Sequence, residues 1–323
     1  MNTKRWIASA IAAVIVIIAI PIQIVTAVLT AEGSEWLSFD QMYNKEVMKN
    51  GSNGEIVVLE LDGVIEDTGS NNGFFSVGYH HRQFLEMLED AMEDPLVDGI
   101  VITVNTPGGS VVASNAIYEQ VVRSKEEFDT PVYVSMGEMA ASGGYYIAAG
   151  ADYIMAHPAT LTGSIGTVMS AGLNFADLAE EWGISETSVS SGEYKQMGSP
   201  FQTLSEEEEV LLQEISDDMY EDFTAVVAEG RGFSDEEIDT LAQGQLFTGN
   251  QALENGLVDE LGDLRDAVSH MELMLDLDAT VTHYTSGSTV GSMWNVVAPM
   301  ASKDPVSTIL EESRATRMLY LHQ

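Results

Sequence analysis

Residues 97–128 read VDGIVITVNTPGGSVVASNAIYEQVVRSKEEF, which combines a strand, a turn and a helix in direct succession. The strand is a short run of Val and Ile, a composition that suits a sheet covered on both faces. Pro107, Gly108 and Gly109 form the turn, and helical spacing begins at Ser110. Similar units occur on both sides of this stretch. The sequence therefore predicts an α/β fold with a mostly parallel sheet flanked by helices.

Other segments continue this alternation. The sequence predicts further strands within residues 55–63, 131–137 and 152–157, and further helices over 82–94, 205–230 and 264–277. Ser234 followed by Glu237 forms a capping-box pattern at another helix start. The expected organisation is a cytoplasmic N-terminus (1–5), a transmembrane anchor (6–30), a linker (31–53), an α/β domain (54–278) and a C-terminal tail (279–323).

The expected anchor is the uncharged apolar run WIASAIAAVIVIIAIPIQIVTAVLT at residues 6–30. About 25 helical residues are enough to cross a hydrocarbon core of roughly 30 Å. Lys4 and Arg5 precede the run, which favours a cytoplasmic N-terminus and an extracytoplasmic α/β domain. A cleaved signal peptide is the alternative. An apolar region of only about 7–15 residues and an A-x-A-like exit would be expected for it, so the run favours an uncleaved anchor in the cell membrane.

The composition excludes several classes of function. The formal net charge is −38, which opposes binding to nucleic acid, to anionic membrane surfaces and to polyanionic cofactors. Such acidity is typical of a solvated surface adapted to high salt, so the protein is expected to be halophilic. The chain has no cysteine, and its six histidines show no metal-binding spacing. No cofactor and no metal are expected.

The stretch GEMAASGGYYIAAG at residues 137–150 surrounds a single serine, Ser142, with small residues. A serine at a strand-to-helix turn is a candidate nucleophile, because the helix start supplies unpaired N–H groups for an oxyanion. The N–H of Gly143, together with that of Gly108 or Gly109 in the upstream turn, could form the oxyanion hole. Ordinary strand-to-helix turns would have the same spacing, and this alternative stays open at the level of spacing alone.

A serine nucleophile also needs a base. His157 follows Ser142 by a short distance, but a single histidine at a strand end is a weak candidate. Lys195 is the other candidate and lies alone between Lys125 and Lys303. Burial would favour its neutral amine, which accepts a proton, whereas a nearby carboxylate would oppose this. Ser164, in TGSIGT, could orient the amine through a hydrogen bond.

Five fragments occur in order: VNTPGGSV, MGEMAASGGYYIAAGAD, LTGSIGTV, SGEYKQMGSPF and FTGNQALENGLVDELG. Together they resemble the SppA-type signal peptide peptidases of peptidase family S49, in the short single-copy form with one N-terminal membrane helix. The resemblance extends over roughly residues 54–278. It implies a ClpP/crotonase-like fold and a serine endopeptidase that uses a Ser/Lys dyad.

Transferred by motif, the resemblance implies Ser142 as nucleophile, Lys195 as general base and Ser164 as the hydroxyl that orients the lysine. It implies remnant signal peptides and other short or unfolded apolar peptides as substrates. It further implies an octamer-like homo-oligomeric ring in which neighbouring subunits complete the dyad.

Alternatives to this prediction are a Ser-His-Asp peptidase, a crotonase-like acyl-CoA enzyme and a non-catalytic membrane scaffold. Position 167, where a ClpP-type histidine would be expected, is Thr. Anionic, cytoplasmic coenzyme A suits an exported acidic chain badly. The tail ending in RMLYLHQ is expected either to be self-processed and bind in a substrate groove or to be a disordered end.

Overall fold

A computed structural model describes residues 43–67, 79–170 and 172–286 of the chain. The predicted N-terminus (1–5) and transmembrane anchor (6–30) lie outside these residues, as does the end of the predicted tail from residue 287 onward. Among the helices in the described part of the chain, none has the length and apolar character that a membrane crossing requires.

The described residues contain nine strands and eight helices. The strands are β1 (Tyr43–Lys49), β2 (Glu55–Asp62), β3 (Gly99–Thr106), β4 (Val132–Ala141), β5 (Tyr153–Ala156), β6 (Leu161–Gly163), β7 (Leu246–Thr248), β8 (Glu260–Leu261) and β9 (Thr280–Ser286). The helices are α1 (His81–Glu93), α2 (Val111–Phe128), α3 (Gly143–Ala149), α4 (Ala176–Glu181), α5 (Glu206–Arg231), α6 (Asp235–Leu241), α7 (Gly249–Glu254) and α8 (Leu264–Leu275).

The strands form one sheet in the order β1-β9-β2-β3-β4-β5-β8, with β6 paired to the end of β4 and β7 paired to β6. All pairs from β9 to β8 along this order are parallel, as is the β4–β6 pair. Only β1–β9 and β6–β7 are antiparallel among the described strands. Helices α1, α2 and α3 connect the successive parallel strands, as parallel pairing requires. The predicted mixed α/β fold with a mostly parallel, helix-flanked sheet is confirmed.

Two strands lie outside the predicted domain limits. Strand β1 falls within the predicted linker (31–53), and β9 falls within the predicted tail (279–323). Strand β9 pairs with β2 in parallel, with Val57 opposite Thr282, and it buries Tyr284 in the core. The Thr-rich sequence suits a strand because β-branched side chains favour extended backbone. The sheet therefore continues beyond the limits of 54 and 278 on both sides.

Alternate residues of the central strands point into two separate cores. On one face, side chains such as Leu59, Ile102 and Val134 pack against α1, α2, α3 and α5. On the other face, Val58 and Val101 belong to a smaller core that α8 covers. Burial on both faces explains the near-continuous apolar strands of the sequence. The predicted capping box is also confirmed, because the Ser234 side chain accepts a hydrogen bond from the Glu237 N–H at the start of α6.

Candidate active site

Ser142 lies in the tight turn between β4 and α3. Its backbone has φ 53° and ψ −119°, a left-handed value of φ that non-glycine residues rarely adopt. The turn is held by two hydrogen bonds: the Ser142 N–H donates to Gly163 O (2.8 Å), and the Tyr146 N–H donates to Ser142 O (2.9 Å). The Ser142 hydroxyl makes no capping hydrogen bond to α3. Strained backbone of this kind, at a cost of about 1–3 kcal/mol, is common at functional sites.

The glycine turn after β3 packs directly against the Ser142 turn. A Cβ on Gly108 would lie 2.8 Å from both Gly143 N and the Ser142 Cβ, so no larger residue fits there. The Gly108 N–H donates to the Thr106 hydroxyl (3.0 Å) and is already engaged. Gly109 N lies 3.4 Å from the position that a Gly143 Cβ would take. The two glycines therefore differ: the Gly108 N–H is bound to Thr106, whereas the Gly109 N–H lies near the Ser142 turn.

Ser164 follows directly after β6, at the same end of the sheet. Its φ is 51°, and its N–H donates to Gln245 O (2.8 Å). The residue before it, Gly163, accepts the Ser142 N–H, so the two serines lie on adjacent turns. Strand β6 is held in place by a hydrogen bond from the Thr162 hydroxyl to Ala140 O (2.7 Å).

A cavity of about 760 Å³ opens beside Ser142. Four parts of the chain form its walls: the start of α2, the turn that leads into α3, the loop after β6, and the middle of α5 with the turn that follows α6. The lining residues include Gly109, Ser114, Ser142, Gly143, Tyr146, Ser164, Asp222 and Phe223. Ser142, Gly143, Gly109 and Ser164, all predicted from the sequence, therefore border one cavity.

The structure does not bring either predicted base into this cavity within a single chain. Lys195 is exposed, in a turn where its N–H donates to Gly192 O (3.4 Å), and it is not among the residues that line the cavity. His157 is also exposed and does not line the cavity; its Nδ1 accepts a hydrogen bond from Ala159 N (3.1 Å). Among the described residues, no cluster of three or more His, Asp or Glu side chains could hold a metal ion.

The sequence analysis did not predict two polar side chains that line the cavity, those of Ser114 and Tyr146. The Ser114 hydroxyl is buried without a hydrogen-bond partner, and it lies where a Gly143 side chain would be. The Tyr146 hydroxyl donates to Asn115 Oδ1 (2.9 Å). Burial, together with the neighbouring Tyr118 and Asp222, raises the pKa of Tyr146 to about 12, so this phenol stays protonated. Helical spacing could have indicated Tyr146, because it lies four residues after Ser142.

Buried polar contacts hold helix α3 in place. The Tyr145 hydroxyl donates to Leu257 O (2.8 Å), and complete burial raises the pKa of Tyr145. Arg231, at the end of α5, forms a two-pronged ion pair with Asp259 through Nη2–Oδ1 (2.7 Å) and Nη1–Oδ2 (3.1 Å). Asp259 also accepts the Ile154 N–H (2.7 Å). These contacts connect α5 and the loop after α7 to the helix that carries the serine turn.

Comparison with known proteins gives a consistent family assignment. The profile of peptidase family S49 matches residues 124–278. A protein of Enterococcus faecium, provisionally named signal peptide peptidase SppA, is 37% identical over 91% of this chain and 88% of its own length. Protease 4 of Haemophilus influenzae is 36% identical over 69% of this chain but only 35% of its own length. The chloroplastic serine protease SPPA of Arabidopsis thaliana is 33% identical over 58% of this chain and 28% of its own length.

Among solved structures, a mutant form of the 1510-N membrane-bound stomatin-specific protease aligns with a TM-score of 0.45 and 18% sequence identity. The alignment covers 68% of this chain and 84% of that protein.

Proposed function

Because this serine peptidase belongs to the SppA-type branch of peptidase family S49, we propose that it cleaves peptide bonds with Ser142 as nucleophile and Lys195 as general base. The observation that carries this proposal is the cavity bordered by Ser142, Gly109, Gly143 and Ser164. A nucleophile and two backbone N–H donors are groups that acyl transfer uses around one reacting carbonyl, and a second hydroxyl can orient the base. We also assign the α/β fold to the ClpP/crotonase-like group, because a glycine turn after one strand adjoins the serine turn after the next.

The reaction proceeds in two steps. The neutral Lys195 amine takes the Ser142 proton as Ser142 Oγ attacks the substrate carbonyl, and the negative charge moves to the carbonyl oxygen. When the peptide C–N bond breaks, the lysine ammonium returns this proton to the leaving amine, and an ester on Ser142 remains. Water, deprotonated by the same amine, then attacks the ester, and the proton passes back to Ser142 Oγ as the peptide acid leaves.

The oxyanion is bound by the N–H groups of Gly109 and Gly143. Gly109 is preferred to Gly108 because the Gly108 N–H already donates to Thr106 Oγ1. Gly143 is the first residue of α3, where helix geometry leaves the N–H without an intrahelical partner. Ser164 borders the same cavity, and its hydroxyl orients the incoming lysine amine.

A neighbouring copy of the chain supplies Lys195. The segment from residue 172 to residue 204, which carries this lysine, exposes an unusual number of large apolar side chains. Among them, Leu173 is 74%, Trp182 is 71% and Val189 is 99% exposed. Apolar surface of this extent is typical of a region that another protein molecule covers. Burial between copies would also remove water from the amine and favour its proton-accepting form.

The substrate and location follow from the family and from the N-terminal sequence. We assign remnant signal peptides and other short or unfolded apolar peptides as substrates, cleaved by a ring of copies anchored in the cell membrane by residues 6–30, with the catalytic domain outside the cytoplasm. Support comes from the length of the apolar run, from the preceding Lys4 and Arg5, and from the apolar walls of the cavity. The net charge of −38 supports a working environment of high salt.

Labelling with a fluorophosphonate probe tests the proposed dyad. The probe is expected to modify Ser142 in the full-length protein, as identified by peptide mapping. Labelling should be lost in Ser142→Ala and strongly slowed in Lys195→Ala. Lys125→Ala is the matched control, because it removes a different exposed lysine, paired with Asp152, that does not line the cavity. Labelling at another residue, or equal rates in Lys195→Ala and Lys125→Ala, would overturn the assignment.

A further inference from the structure

The middle of α5 places one carboxylate on the wall of the cavity. Asp222 lines the cavity that Ser142 borders, next to Phe223 and one helical turn from Met219. Among the described residues that line this cavity, Asp222 carries the only formal charge. The charge therefore lies in the cavity that Ser142 also borders.

Within the described part of the chain, the Asp222 carboxylate has no cationic partner. No lysine or arginine of the described residues forms an ion pair with it, in contrast to Asp152 and Asp259, which each pair with a cation. The hydroxyl of nearby Tyr146 is already committed to Asn115. Asp222 is exposed, so it lies where the cavity meets solvent, and an unpaired carboxylate there attracts a cation and repels a second carboxylate.

The rest of the wall is suited to an aliphatic chain. Tyr146 and Phe223 meet edge to face, with ring centroids 5.2 Å apart, and both are more than 90% buried. Val111, Val112 and Met219 extend the apolar lining. A lysine or arginine side chain has an aliphatic stem that packs on such a surface and a charged end that reaches a polar group.

We propose that Asp222 selects substrates with a lysine or arginine at the residue whose carbonyl Ser142 attacks, and disfavours a carboxylate there. The inference rests on the proposed function, since it takes Ser142 as the nucleophile. The stem of the basic side chain lies along Tyr146 and Phe223, and its charged end binds the Asp222 carboxylate. The enzyme would thus favour basic segments within otherwise apolar peptides.

The test compares three fluorogenic peptides that differ only at this residue, which is lysine, norleucine or glutamate. Norleucine resembles the lysine stem and lacks the charge. In the wild type, we expect kcat/KM to fall in the order lysine, norleucine, glutamate. In Asp222→Asn, the lysine-to-norleucine ratio should fall about tenfold, and the glutamate-to-norleucine ratio should rise.

Glu221→Gln is the matched control. It removes the same charge from the adjacent position of the same helix; both side chains are exposed, but only Asp222 lines the cavity. Its substrate ratios should equal those of the wild type, whereas a general effect of net charge would change both variants alike. The wild-type lysine preference should also weaken with added salt, because the Debye length shrinks to about 3 Å at 1 M.

The outcomes separate this inference from the proposed function. If the wild type cleaves these peptides and Ser142→Ala does not, the proposed nucleophile stands regardless of selectivity. Equal ratios in the wild type and Asp222→Asn would then overturn the role of Asp222 alone. An equal fall of the lysine-to-norleucine ratio in Glu221→Gln would also overturn it. Cleavage by Ser142→Ala at the wild-type rate would instead overturn the proposed function.

Discussion

Ser142 and Lys195 lie in two regions that differ in how completely each is packed. Around Ser142, strands β3 and β4 are mostly buried and helix α3 is fully buried; Ile102, Val134 and Tyr145 are inaccessible to solvent. Around Lys195, the segment 172–204 buries one hydrophobic residue, Ala179, and exposes many others. The serine region is complete in a single chain. The lysine region exposes apolar surface that, under the proposed function, a neighbouring copy would cover.

Mixing two inactive variants tests this contrast most directly. Ser142→Ala and Lys195→Ala should each lower kcat by about 10⁴-fold or more, since each removes one member of the dyad. If neighbouring copies share the dyad, random mixing should restore roughly a quarter of the wild-type activity, because one site in four combines an intact serine with an intact lysine. Activity is measured with a peptide substrate after dissociation and reassembly.

In the control mixture, the double variant Ser142→Ala/Lys195→Ala takes the place of Ser142→Ala. Mixed with Lys195→Ala, it contains no intact lysine and should restore nothing. Mixed assemblies are verified with two affinity tags. Absence of rescue in verified mixed assemblies of the two single variants would mean that the dyad forms within one chain.

The stability of the packing around α3 should be sensitive to loss of the buried Arg231–Asp259 ion pair. Asp259→Asn leaves the Arg231 guanidinium, whose side chain is only 9% exposed, without its counter-charge. We expect a loss of about 3 kcal/mol in the free energy of unfolding, measured by chemical denaturation. Lys125→Ala breaks an exposed pair with Asp152 and should cost less than about 1 kcal/mol. Equal losses in the two variants would show that burial does not strengthen the Arg231 contact.

The contact between Gly143 and Ser114 offers a test inside the serine region. A Cβ on Gly143 would overlap the Ser114 hydroxyl, so Gly143→Ala should cost about 2 kcal/mol of unfolding free energy. Ser114→Ala should be neutral or slightly stabilising, because that hydroxyl is buried without a partner. The double variant should recover most of the loss, which a double-mutant cycle measures as a coupling energy. Additive effects of the two substitutions would contradict the close contact.

The smallest change in stability is expected in the lysine region. Trp182→Ser and Val189→Ser replace side chains that already face solvent, so each should alter the unfolding free energy of the isolated chain by no more than about 0.5 kcal/mol. The same variants should weaken self-association, measured by analytical ultracentrifugation, because they remove apolar contact area. Unchanged self-association would mean that this surface does not contact another copy.

The sequence predicted the central elements closely because their signals are local. Helix α2 was predicted over 110–128 and is observed over Val111–Phe128, where Ser110 caps its start. Strand β9 was missed because its pairing with β1 and β2 shows it to be a strand, and both of these strands lie more than 200 residues earlier in the chain. Thr and Ser are common in loops as well as in strands, so composition favoured a tail.

Local chemistry is thus enough to specify the α/β units, the glycine turn and the small residues around Ser142. These features depend on backbone preferences and on hydrophobic spacing, which act over a few residues. Only the tertiary structure favoured Gly109 over Gly108 as the proposed oxyanion donor, because this choice depends on the hydrogen bond from the Gly108 N–H to the Thr106 hydroxyl. It also brought Asp222 to the cavity, 80 residues from Ser142 in the chain. Contacts between distant segments arise from packing of the whole sheet and its helices, so local sequence patterns cannot predict them.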